Sequence, residues 1–162
     1  MSLPLFQELM KVLSEEAGCY RQLSDLARRQ KEILVAAQME DLPVNLRHEE
    51  KQVFLLGPLV AKRNELLGKI AQAAGAKKMD LSQAILAAPG EVAEAFQETA
   101  LGLAQAAREL EALNQGNEKL LKNALSYVNF TLKAIASGGR PSAAQMKAGY
   151  EKPAASFVNR TV

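Results

Sequence analysis

An all-α fold is what this sequence predicts: an elongated antiparallel bundle, or hairpin, of three long helices, with one short helix and a flexible C-terminal tail. Three observations carry that prediction. Apolar and small residues recur at alternating steps of four and three, which puts them on one face of a helix. No proline interrupts the longest such stretch, 91–137. Hydrophobic residues are 48% of the chain and aromatics only 5%, so the apolar content is mostly Ala and Leu, as in helix-on-helix packing.

The first helix opens at Ser2, a capping residue with Pro4 in the first turn, and its pattern holds to about Ala37. Three columns at seven-residue spacing run side by side. They are Leu5, Val12, Cys19, Leu26, Ile33; Phe6, Leu13, Tyr20, Ala27, Leu34; and Leu9, Glu16, Leu23, Gln30, Ala37. Gly18 inside this helix is read as a point of close approach by a neighbour. A turn at 39–43 follows, with Asp41 as the expected cap and Pro43 in the next first turn.

The second helix runs to about Ala74. Its predicted seam is Leu42, Leu46, Glu49, Val53, Leu56, Val60, Arg63, Leu67, Ile70, Ala74. Gly57–Pro58 lies within it and predicts a kink rather than a break, because the seam keeps its phase across the pair. Gly75 is a left-handed stop. Asp80 and Gln83 form a capping box that opens a short helix over 81–88, ended by Pro89–Gly90.

The stretch 91–137 is the one around which the rest is organised. Its seam reads Val92, Phe96, Thr99, Leu103, Ala106, Leu110, Leu113, Asn117, Leu120, Ala124, Tyr127, Thr131, Ala134. At about 1.5 Å per residue it is roughly 70 Å long, so other helices must lie along it. It exceeds them in length, and the part beyond Asn117 is expected to project with its stripe incompletely covered. Residues 1–137 form the helical domain. Residues 138–162 form a flexible tail with Met146 and Tyr150 four apart, on one face if the segment becomes helical on binding.

Twenty basic residues face 18 acidic ones, a balance that predicts no nucleic-acid partner. One Cys cannot make an internal disulfide, which fits a reducing cytosol. No signal peptide and no membrane span are read, so the expected location is cytoplasmic. His48 is the single His, among Arg47, Glu49 and Glu50, and reads as a surface residue. A di-iron or zinc site cannot be assembled from His48 and Cys19 alone. Cys19 reads as a small core residue. Glu15 and Glu16 diverge by about 100° on a helix and are no acid–base pair. No catalytic residue, metal or cofactor is expected, and the chain is read as no enzyme. Asn114 and Asn117 stand out on the long seam. A buried Asn fixes register between helices, or else both amides face a partner helix.

Three segments together resemble a known family: Ala-Ala-Gln-Met-Glu-Asp-Leu (36–42), Lys-Arg-Asn-Glu-Leu-Leu (62–67) and Leu-Asn-Gln-Gly-Asn-Glu-Lys-Leu-Leu (113–121), followed by a tail with one Tyr. In this order they resemble the FlgN family of flagellar export chaperones, from about Leu5 to Tyr150. The tail reads Gly149–Tyr150 where the family often has Tyr followed by Gly. The resemblance implies a cytosolic chaperone of the flagellar type III export system. It implies hook-associated junction proteins as clients, bound by their C-terminal helical regions, and docking on the export gate and a general export chaperone. The partner-binding residues expected on this basis are Asn117, Leu120, Leu121, Leu125, Val128 and Leu132, with Met146 and Tyr150 in the tail. A weak homodimer is compatible with it. The competing reading is an oligomeric coiled-coil scaffold or adaptor with no secretion role.

Overall fold

Helix α1, Leu3–Ala36, starts with Pro4 in its first turn, where a missing N–H costs nothing. Ser2 has the extended backbone of a cap, but its side chain makes no capping bond, contrary to the sequence expectation. Ala37 closes the helix in the left-handed region, with φ 55°. The N–H groups of Ala37 and Gln38 donate back to the carbonyls of Leu34 and Ile33. The structure, a computed structural model, describes residues 2–136, apart from the side chains of Tyr127 and Val128. The predicted tail, with Met146 and Tyr150, lies outside the described residues. Among those described there are four α-helices, a 3₁₀ turn at Met39–Asp41, and no strand.

The expected hub is corrected. The two other long helices both pack on α1, rather than on the longer last helix. Helix α2, Leu42–Ala73, lies along one flank of α1 and runs antiparallel to it. Helix α4, Ala93–Ala136, lies along the other flank and runs parallel to it. Among the described residues α2 and α4 nowhere approach within 8 Å, Cα to Cα. This explains the breadth of the α1 stripe. Phe6, Leu13, Tyr20 and Ala27 from one column, and Leu9, Glu16, Leu23 and Gln30 from the next, are all buried. Helix α3, Leu81–Ala87, touches both α2 and α4 and buries Ala84. Its capping box forms as predicted: Gln83 N–H donates to Asp80 Oδ1 at 2.8 Å, and Asp80 N–H donates to Gln83 Oε1 at 2.9 Å.

In α2 the predicted seam holds from Leu56 to Ile70, fails at the exposed Ala74, and slips by one residue at Leu46 and Val53. Leu46 and Val53 are exposed, while Asn45 is buried and Gln52 half-buried in their place. The reason is a hydrogen bond: Asn45 Nδ2 donates to the Leu26 carbonyl of α1 at 3.0 Å, so the polar side chain faces inward. Asp41 occupies the cap of α2 without a side-chain bond. The helix passes through Pro58 unbroken. The residue whose carbonyl loses its partner there, Phe54, is 81% exposed, so water can satisfy it. Gly75 takes φ 70°, the expected left-handed stop. Gly18 is a second correction: a Cβ there would meet nothing within 4 Å, so no neighbour approaches closely.

The register of α4 against α1 is fixed at two points. The rings of Phe6 and Phe96 meet edge to face with centroids 5.3 Å apart. Asn117 Nδ2 donates to the Ala27 carbonyl at 2.7 Å. Both pairs are offset by 90 residues. The end of α1 at Ala36 is therefore level with Ser126, and 127–136 extend about 15 Å beyond it.

Candidate functional site

The α4 seam that faces α1 buries Phe96, Leu103, Ala106, Leu110 and Asn117. After Asn117 no described side chain of α4 is buried. A second apolar stripe starts there, in steps of four and three: Leu121, Leu125, Val128, Leu132, Ile135. At 100° per residue its centre lies about 70° round from Asn117, Leu120 and Ala124, the local continuation of the α1-facing seam. Leu121 is half-buried, whereas Leu125, Leu132 and Ile135 are 55%, 59% and 66% exposed. Ile135 was not among the residues expected from sequence. The same four-and-three spacing reaches it.

The other expected site residues fall as follows. Leu120 is half-buried, on the seam that continues toward α1. Val128 belongs to the helix, but its side chain is not among those described. Asn117 is buried and its amide is bonded to Ala27, so it serves the α1–α4 register. It is matched by Asn45 of α2, whose amide takes the neighbouring Leu26 carbonyl. Two helices thus pin the same turn of α1 through buried amides. Asn45 was missed because its burial depends on a carbonyl supplied by another helix.

Apolar exposure also occurs elsewhere. Phe54, Leu55 and Val44 stand on α2, and Leu86 on α3. A polar cleft of about 350 Å³ lies beside the end of α1 and includes Asp25, Arg28, Glu32 and Asp41. Within it Arg28 donates to Asp25 at 2.7 Å and also pairs with Glu109 of α4.

The titratable groups of the interior have structural work. Glu16 is fully buried, and Arg63 Nη1 donates to its Oε1 at 2.5 Å. Burial pushes the Glu16 carboxyl up, opposed by the Arg63 charge and hydrogen bond. Burial, then Glu16 and Glu15, push the Cys19 thiol up, which keeps it protonated and unreactive. Burial pushes Glu49 to about 7.

Two of the three segments that carried the family resemblance now have a place. Lys62 pairs with Glu8 at 3.2 Å, Arg63 with Glu16, and Leu66 and Leu67 are buried, so 62–67 fastens α2 to α1. Segment 113–121 holds Asn117 and fastens α4 to α1. The model of the FlgN protein family matches residues 1–152. The chain belongs to the FlgN family. This family is one of flagellar chaperones rather than of enzymes. No curated protein and no solved structure matches the chain. As a FlgN family member it turns two of its three family-like segments to its own core and its apolar stripe to solvent. Among the described residues no helix is long and apolar enough to cross a membrane.

Proposed function

We propose that this FlgN family member is a cytoplasmic chaperone of flagellar type III export. It holds hook-associated junction proteins by their C-terminal helical regions, prevents their premature assembly and delivers them to the export apparatus. The observation that carries this reading is the stripe of Leu121, Leu125, Leu132 and Ile135, which starts beside the last turns of α1 and runs onto the part of α4 that outreaches it. An amphipathic client helix laid against it completes a helix pair that the chain's own helices leave open. Covering the client's seam blocks its pairing with other subunits. Met146 and Tyr150 of the tail add contacts to the same client. Docking on the export gate and a general export chaperone then releases it by competition, without chemistry.

The test is a pull-down of junction proteins with the full chain, with Leu125→Glu/Leu132→Glu, and with a chain ended at Ala136. The double substitution is expected to weaken capture more than about tenfold, since each leucine buried on binding contributes about 1.5–3 kcal/mol. Loss of the tail is expected to weaken it further. Undiminished capture by the double variant would sink the assignment of the stripe. The alternative, an oligomeric scaffold, places a second copy on the same stripe. Light scattering separates the two: a stable higher oligomer supports the scaffold, and a monomer or weak dimer supports the chaperone.

A further inference from the structure

We propose that the α4 stripe selects an amphipathic helix with acidic flanks. The inference rests on the client-binding reading of α4 given above and adds the chemistry by which a client is chosen. The overall charge of +2 conceals a division along the chain. Residues 1–118 carry 13 basic and 17 acidic side chains, whereas 119–162 carry seven basic and one acidic, so the halves stand at −4 and +6. The division falls where burial on α1 ceases, one residue after Glu118. From there to the end of α4 the charged residues are Lys119, Lys122 and Lys133, with no carboxylate among them.

Their placement matters as much as their sign. At 100° per residue, Lys122 and Lys133 lie about 100–120° round from the centre of the stripe, on the flank turned away from the α1-facing seam. Lys119 lies just beyond them. The apolar stripe thus has α1 on one side and a basic rail on the other. Lys122 reaches back to Glu118 at 2.9 Å, yet the segment keeps its positive balance. A helix seated on the stripe brings its own flanking positions opposite that rail, as the positions beside a coiled-coil seam do. Carboxylates there are attracted and lysines repelled. A second copy of this chain would set one basic tip against another, so the charge also disfavours self-pairing. A lipid surface would call for a broad apolar face. The alternation of four and three gives a narrow seam suited to one helix.

The experiment uses the full chain and three synthetic helical peptides of one length. All carry the same Leu/Ile heptad seam, and their flanking positions are Glu, Gln or Lys. Fluorescence anisotropy at low and high salt reads the affinities. The expected order is Glu tightest and Lys weakest, about tenfold apart or more, with the gap shrinking as salt rises. In Lys119→Gln/Lys122→Gln/Lys133→Gln, checked for helicity by circular dichroism, the gap is expected to fall to about twofold. The salt dependence of the unmodified chain stands as a test even if that variant folds poorly. Equal binding of all three peptides, or anionic vesicles of phosphatidylglycerol binding more tightly than the Glu peptide, overturns the inference. If the Gln peptide binds and discrimination is absent, the charge selection alone falls. If no peptide binds, the client-binding reading of the stripe falls with it.

Discussion

Glu16 has no exposed surface, and its partner Arg63 donates from the neighbouring helix at 2.5 Å. Removing the guanidinium would strand a carboxyl in the core. Arg63→Ala is therefore expected to lower stability by about 3–5 kcal/mol in urea unfolding, while an apolar replacement of both partners is expected to cost far less. Glu49 gives a second residue-scale prediction. Asn45 donates to its Oε1 at 3.0 Å, yet burial dominates and raises its pKa from 4.5 to about 7. Between those values the folded chain holds a proton that the unfolded chain has lost. The Glu49 contribution is thus fully present below about 4.5 and is lost as pH rises through about 7. Urea midpoints measured from pH 4 to 8 should fall over that window, and Glu49→Gln should flatten the fall. Equal slopes in the two proteins would refute the assignment.

At the scale of the helix, Gly18 sits in the interior of α1 with open space where a Cβ would be. Gly18→Ala is expected to raise stability by up to about 1 kcal/mol, read as a higher thermal midpoint. A decrease would mean that a neighbour does press on that position. The existence and order of all four helices were legible in the periodicity, and the capping box of α3 was legible to the residue. The slip at Leu46 and Val53 was not. Spacing ranks Leu above Asn for burial, and only the Leu26 carbonyl, placed by α1, makes Asn45 the inward residue. The hub was half-legible. Three adjacent columns in α1 announced contact on two flanks, but length drew attention to α4. The α4 stripe was legible as leucines at helical spacing. Which of them lie past the end of α1 follows from the offset between the two helices, a tertiary quantity fixed by Phe6–Phe96 and Asn117–Ala27.

The whole molecule is a rod with unlike ends. At one end α3 touches α2 and α4, and the rings of Phe6 and Phe96 meet edge to face. At the other, α4 alone among the described helices continues past α1. Its last ten or so residues have no α1 surface beside them, and a helix of that length is marginal in water on its own propensity. Amide hydrogen exchange should show protection declining along α4 from the level of Asn117 to Ala136, with the tip opening far more readily than Phe96 to Leu110. Uniform protection along the helix would contradict the overhang. Because, among the described residues, no buried core side chain belongs to the tip, it can unwind and rewind turn by turn while the helical body stays intact. The molecule thus owns a stretch whose melting is private to itself, free to respond to its surroundings without the body unfolding.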